Sequence, residues 1–267
     1  MSKWRPTEKG CTYIIPDIHG NKKNLLSILY RILPLRNTNG IKDNIIFLGD
    51  YIDRGNDVPD LIDLLISLKE EYPEQCVFLK GNHEEMMLIA LGYGKTPKKR
   101  SPIIMNAHFK VWKENGGEET ILSYLHKANI YDALPHTASI ERVKNCVPEN
   151  HIEFMDSCVN YHETDDAIFV HGGMIVGIPM KDQLPNVLYW DRVLVNFVKD
   201  CKAKNKLNEL NWKKPIICGH SGPVPIILQN YMMLDAGAPN NLMVMELNSR
   251  QAYLAVTNKK KLIKYEY

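Results

Sequence analysis

The chain has 267 residues, 45% of them hydrophobic, which is enough to bury a sizeable core in one domain or at most two. Thirty-three Lys and Arg against 31 Asp and Glu leave a net charge of +2, so overall charge gives no footprint for a nucleic-acid or membrane partner. The six cysteines are scattered, with no C-x-x-C pair; several sit in apolar runs, where a free thiol behaves as a small hydrophobe. A polar N-terminal stretch without an apolar signal core, and no run near the roughly 18 apolar residues of a membrane span, lead us to expect a soluble, cytoplasmic protein. The expected organisation is a single domain over residues 1–267, with a mainly helical insertion at about 92–160.

In chain order, residues 11–16 read as a short strand, and 21–33 as a helix with Leu25, Ile28, Leu29 and Ile32 on one face. Residues 44–48 form a second strand, 57–70 a helix with Leu61, Leu64, Leu65 and Leu68 aligned, and 76–79 a third strand. This βαβαβ order predicts parallel pairing with right-handed crossovers. A helix over 84–91 is followed by the Gly-, Pro- and Lys-rich stretch 92–102, an exposed loop by its turn chemistry. Helices are expected at 106–114, 118–127, 149–158 and 187–199. Strands are expected at 167–170, 215–218, 226–228, 231–234, 242–247 and 252–256, and Met232, Met233, Met243 and Met245 within them read as core.

Five of the apolar runs end in a Gly-containing segment bearing carboxylate, amide or imidazole: Asp17-Ile18-His19-Gly20, Gly49-Asp50, Gly81-Asn82-His83, His171-Gly172-Gly173 and Gly219-His220. Loops at the carboxyl ends of strands in open α/β sheets converge on one crevice, so these segments are predicted to make one site. Two aspartates, an asparagine and three histidines form a mixed oxygen and nitrogen ligand set that suits Mn, Fe or Zn better than Ca or Mg. Alternation at the strand end would point Asp17 and His19 the same way, onto one ion. Asp50 would then bridge to a second ion, completed by Asn82, His171 and His220, with the metals about 3.5 to 4 Å apart.

Taken in order, Asp17-Ile18-His19-Gly20, Gly49-Asp50-Tyr51-Ile52-Asp53-Arg54-Gly55, Gly81-Asn82-His83-Glu84, His171-Gly172-Gly173 and Gly219-His220 resemble the signature of the phosphoprotein phosphatase family of calcineurin-like metallophosphoesterases. Asn115-Gly116-Gly117 after a Trp, Trp190-Asp191-Arg192 and Asp235-Ala236-Gly237-Ala238 are similar to features of its compact bacterial and phage members. The resemblance implies an αββα four-layer sandwich, two mixed β-sheets flanked by helices, within the α/β class. It also implies Asp17, His19 and Asp50 on the first metal, Asp50, Asn82, His171 and His220 on the second, and two divalent or mixed-valence ions, Mn before Fe or Zn.

Arg54 and Arg192 are implied to hold the substrate phosphoryl group through bidentate, charge-assisted bonds. The implied mechanism is in-line attack by a hydroxide bridging the metals, with His83 as general acid oriented by Asp53. His108, His126, His136, His151 and His162 have no partner motif and read as structural or solvent-facing. The cations of 95–100, 199–214 and 259–261 read as solvated. Pro16 stands where the family commonly has glycine, which removes an N–H from the loop before Asp17.

The implied substrate is a phosphomonoester, phosphoserine or phosphothreonine of a protein, because Asp53 before the motif arginine and Glu84 after Asn82-His83 follow the protein phosphatase form. The alternative is a dinucleoside polyphosphate (diadenosine tetraphosphate) hydrolase. A third reading, a catalytically idle phosphopeptide-binding module, would expect a lost ligand or acid, and none is lost. The long eukaryotic features after the last histidine are not apparent, so no eukaryotic-type regulatory subunit is expected.

Overall fold

The computed structural model describes residues 10–35, 40–95, 101–132, 134–259 and 261–267. Strand β1 (Thr12–Ile15) is followed by α1 (Lys22–Ile32), β2 (Asn44–Phe47), α2 (Val58–Glu71), β3 (Cys76–Phe78) and α3 (Asn82–Ala90). As the βαβαβ reading requires, β1 pairs parallel with β2, and β2 with β3. Helix α1 buries the predicted Leu25, Ile28, Leu29 and Ile32 and is capped by the Asn21 side chain, which accepts from the Asn24 N–H. Helix α2 buries Leu61, Leu65 and Leu68 as predicted, with Ile62 rather than Leu64 completing the face.

Four helices then run consecutively: α4 (Pro102–Trp112), α5 (Glu118–Lys127), α6 (Ile140–Cys146) and α7 (Glu149–Ser157). Helix α4 starts four residues earlier than its periodicity predicts, because the Ser101 hydroxyl caps it and Pro102 occupies its first turn. The middle of the predicted 92–102 loop, residues 96–100, lies outside the described residues. Strands β4 (Tyr161–Glu163) and β5 (Ile168–Val170) lead into α8 (Pro185–Trp190) and α9 (Val193–Ala203). The single helix predicted over 187–199 is therefore two. Asp191 breaks it in an extended conformation, and its carboxylate accepts from the N–H groups of Val193 and Leu194 to start α9. The chain ends in β6 (Ile216–Cys218), β7 (Ile226–Ile227), β8 (Tyr231–Met233), β9 (Asn241–Glu246), β10 (Ala252–Val256) and β11 (Ile263–Tyr265).

These strands form two mixed sheets, ordered β11-β10-β9-β1-β2-β3 and β4-β5-β6-β8-β7. Side-chain alternation explains why both faces of the central strands are apolar. Ile14, Ile46 and Leu48 of the first sheet meet Phe169, Ile217 and Met232 of the second in the layer between them. Tyr13, Ile15, Ile45 and Phe47 point the other way, into a core shared with α1, α2 and the helical stretch. Ile216, Cys218, Tyr231 and Met233 pack against α8 and α9. The result is the αββα sandwich, and Met232, Met233, Met243 and Met245 are fully buried within it. Among the described residues no helix is long and apolar enough to cross a membrane.

All six cysteines are free thiols, five of them buried and Cys146 half-buried. Burial pushes the Cys76 and Cys218 thiols up to about 12, and a thiol that does not ionise does not attack. A disulfide-exchange reagent at pH 8 should therefore react with Cys146 alone in native protein and with all six after denaturation. Rapid reaction of several native thiols would show that the core opens.

Candidate metal centre

Each predicted site segment follows the carboxyl end of a strand, but the strands belong to different sheets. Asp17-His19, Asp50-Arg54 and Asn82-Glu84 follow β1, β2 and β3 of the first sheet, while His171 and His220 follow β5 and β6 of the second. The crevice thus lies where two sheet ends meet, rather than at the edge of one open sheet. The loops are tied to one another: Ile18 and His19 N–H donate to the Asp50 carbonyl at 3.0 and 2.9 Å, and Gly219 N–H donates to the His171 carbonyl at 2.9 Å. Pro16 needs no N–H here, since the loop is held by the residues after it. A Cβ at Gly81 would lie 2.1 Å from Asp50 Oδ1, so only glycine lets the β3 loop approach this close.

Five non-glycine residues of these loops, His19, Asp50, Asp53, Arg54 and His220, have positive φ between 48° and 72°. Each such residue costs of order 1 to 3 kcal/mol and persists where its surroundings hold it. A principal holder of the Asp50 loop is Glu84. Its fully buried carboxylate accepts from Tyr51 and Ile52 N–H through Oε1, at 2.8 and 3.3 Å, and from Asp50 and Gly81 N–H through Oε2, at 3.0 and 2.9 Å. Burial and the Asp50 charge push its pKa up to about 6. Replacement by glutamine turns an acceptor into a donor facing N–H groups. Glu84→Gln should lower stability by about 3 kcal/mol or more, read as a shift in the denaturant midpoint. A shift below about 0.5 kcal/mol would show that the cradle is not held by charge.

Asp50 is the hub. Among the described residues its carboxylate belongs to two groups of ligand atoms lying within 4.8 Å of one another, one with His19 and His83, the other with His171 and His220. His19 Nδ1–H donates to the Ile52 carbonyl and His171 Nδ1–H to the Leu48 carbonyl, both at 2.8 Å, which turns each Nε2 lone pair inward. His171 Nε2 then faces Asn82 Oδ1 at 3.0 Å and Asp50 Oδ1 at 3.3 Å. Acceptors facing acceptors in a buried site call for a proton or a metal cation between them. Burial opposes charge on His171, yet the Asp50 carboxylate lifts its pKa to about 9, a field that holds any cation placed there. Burial and the neighbouring His171 push His220 down to about 3, leaving a neutral imidazole ready to ligate. The donor set fits two transition-metal ions.

Asp17 is placed differently from the sequence expectation. Strand β1 stops at Ile15 and His19 turns to φ 48°, so strand alternation no longer relates Asp17 to His19. The Asp17 carboxylate instead accepts from the His220 N–H at 2.9 and 3.0 Å, and burial, with Asp235 and Asp50 nearby, raises its pKa well above the usual range. Such concentrated buried negative charge is relieved by a cation.

His83 Nδ1 lies 2.6 Å from Asp53 Oδ2. Burial lowers the pKa of His83, but Asp50 and the hydrogen-bonded Asp53 outweigh it and the net direction is upward. At the mouth, the exposed Arg54 donates to His19 Nε2 at 2.6 Å and His83 Nε2 at 3.1 Å, and Arg192 Nε donates to His220 Nε2 at 3.2 Å. Arg192 reaches the site because the chain breaks between α8 and α9. Of the histidines set aside, His151 is buried between Tyr124 and Asp63, a structural role.

A family profile described as calcineurin-like phosphoesterase matches residues 12–240. The chain belongs to the calcineurin-like phosphoesterase family. That family depends on a dinuclear metal centre, in keeping with the two ligand groups around Asp50. A curated relative in Saccharomyces cerevisiae, serine/threonine-protein phosphatase PP2A-like PPG1, is 30% identical over 203 residues, which are 76% of this chain and 41% of that protein. The phosphoesterase chain thus spans less than half the length of that relative. Among solved structures, a putative diadenosine tetraphosphatase superposes with a TM-score of 0.54 at 15% identity, covering 98% of this chain and 95% of the other. A Saccharomyces cerevisiae protein serine/threonine phosphatase with similarity to human phosphatase PP5 gives 0.53 at 16%, covering 97% and 80%. At these identities the two structures attest the fold.

The residues that sequence reading left without a role are Glu84, Trp112 and Thr120. Glu84 carries a detectable signal, since a Glu three residues after a helix cap commonly reaches back to the cap N–H. Trp112 is marked only as the Trp before Asn115-Gly116-Gly117, and nothing singles out Thr120; neither role is readable because their partner Asp53 is about sixty residues away in sequence.

Proposed function

We propose that this chain is a metal-dependent phosphomonoesterase acting on phosphoserine and phosphothreonine of proteins. The observation that carries this reading is the Asp50 carboxylate shared between two buried ligand groups, with a His83-Asp53 pair and two exposed arginines beside it. Asp17, His19 and Asp50 would hold one ion, and Asp50, Asn82, His171 and His220 the other. Bound there, two divalent ions, manganese before iron or zinc, supply Lewis-acid polarisation of the phosphoryl oxygens and a water of lowered pKa.

The protein's own groups do the rest. With the lone pairs of His19 and His220 committed to the ions, the donors that Arg54 and Arg192 place on those nitrogens would be free for phosphoryl oxygens, and their charge stabilises the equatorial oxygens as the P–O bond opens. Arg54 thereby frees the His83 Nε2 lone pair to take up a proton from solvent, which the neighbouring Asp50 and Asp53 carboxylates favour; the imidazolium, its Nδ1–H held by Asp53, gives that Nε2 proton to the leaving alcohol. The serine/threonine phosphatase relative supports the monoester reading. Six free thiols support a reducing, cytoplasmic setting, and the chain would act without a eukaryotic-type regulatory subunit. The test is the manganese-reconstituted protein assayed side by side on p-nitrophenyl phosphate, a phosphothreonine peptide and diadenosine tetraphosphate. Turnover of the two monoesters above the dinucleotide is expected; strong preference for the dinucleotide overturns the substrate assignment.

A further inference from the structure

The segment between α4 and α5 has no place in the reaction as set out above, yet it encloses the Asp53-Arg54 dipeptide. The Trp112 indole N–H donates to both Asp53 carboxylate oxygens, at 2.9 and 3.0 Å. The Thr120 hydroxyl donates to Asp53 Oδ1 at 2.6 Å and accepts from the Asp53 N–H at 2.9 Å. One residue further on, Arg54 N–H donates to the Gly116 carbonyl at 3.0 Å. Gly116 has φ 101°, and a Cβ there would lie 2.7 Å from Arg54 Cγ, so this position accepts no other residue without moving the arginine. Gly117 leaves room for the Trp112 ring in the same way, at 2.7 Å from the indole nitrogen. Trp112, Thr120 and Asp53 are all fully buried.

These contacts settle the orientation of a carboxylate. Oδ1 takes the hydroxyl, the indole N–H straddles both oxygens, and Oδ2 is left facing His83 Nδ1 at 2.6 Å. Asp53 and Arg54 both sit at left-handed φ, 72° and 64°, where non-glycine residues need such external support. We propose that Trp112 and Thr120 are positioning residues for proton transfer: with Gly116 they lock Asp53-Arg54 so that His83 Nε2 and the Arg54 fork are aimed into the site. The proposal rests on His83 as the acid that protonates the leaving oxygen as its bond to phosphorus breaks. Misplacing a catalytic group by about 1 Å is enough to lose rate in the chemical step.

The experiment compares kcat on phenyl phosphate, whose leaving group needs a proton, with kcat on p-nitrophenyl phosphate, whose leaving group needs it less. Trp112→Phe keeps the ring without the N–H, Thr120→Val keeps the shape without the hydroxyl, and Thr120→Ser restores the hydroxyl. His83→Asn is the reference. The phenyl-to-nitrophenyl ratio should fall about tenfold in Trp112→Phe and Thr120→Val, in the same direction as His83→Asn, and recover in Thr120→Ser. If His83→Asn lowers the ratio and the other two variants leave it at the wild-type value, or lower both rates equally, the positioning role is overturned while the acid stands. An unchanged ratio in His83→Asn overturns both. Should Trp112→Phe not fold, the Thr120 pair carries the same comparison.

Discussion

Asp50→Asn is expected to release metal from both positions at once and to lower kcat by at least about a thousandfold, beyond what loss of one hydrogen-bond donor to a transition state brings. The reason is geometric. Asp50 Oδ1 lies 3.3 Å from His171 Nε2, and Oδ2 lies 3.7 Å from His19 Nε2 and 3.8 Å from His83 Nε2, so one carboxylate stands between both ligand groups. An amide of the same shape removes the negative charge and presents a donor on one side. Metal content per chain, measured beside kcat, distinguishes this from a simple loss of activity. His171→Ala, which deletes a member of one group only, should leave the other ion bound. Retention of two ions by Asp50→Asn would mean that the two groups do not share a ligand.

His83→Asn carries the second largest expected effect, a fall in kcat of about a hundredfold or more on phenyl phosphate with a much smaller fall on p-nitrophenyl phosphate. The asymmetry matters more than the size. His83 Nε2 also lies in one of the ligand-atom groups, with His19 and Asp50. Were His83 chiefly a metal ligand, its loss would depress both substrates equally and lower the metal content. As an acid held by Asp53 at 2.6 Å, it is missed only where the leaving oxygen requires a proton. Equal losses on both esters, with one ion gone, would move His83 from proton donor to ligand.

Much of this architecture is legible in the sequence because local and global signals agree. The apolar faces of α1 and α2 and the runs that become β1, β2 and β3 are continuous and well punctuated, and the ligand-type residues stand at strand ends where periodicity stops. Two short edge strands are not legible. Strand β4, with the sequence Tyr-His-Glu, and β11, with Ile-Lys-Tyr, lie at sheet edges, where little apolar surface has to be buried. The break at Asp191 escapes periodicity because the apolar pattern runs through it on both sides, while the carboxylate that caps α9 is the cause of the break.

Within the site, composition points to the ligand types, but the turn of Asp17 toward His220 depends on left-handed backbone at His19 and His220, which no spacing rule contains. The bracket of Trp112, Gly116 and Thr120 around Asp53-Arg54 is likewise a tertiary fact. Only the fold brings the α4-α5 turn to the end of β2.

The central claim, a dinuclear phosphoesterase centre organised by Asp50, is tested most directly by metal analysis of protein stripped with chelator and reconstituted with manganese, with phosphomonoesterase activity followed in the same titration. Two ions per chain are predicted, with activity absent from the stripped protein and rising as the second ion binds. Failure to retain any transition metal, or activity undiminished after stripping, would contradict the account.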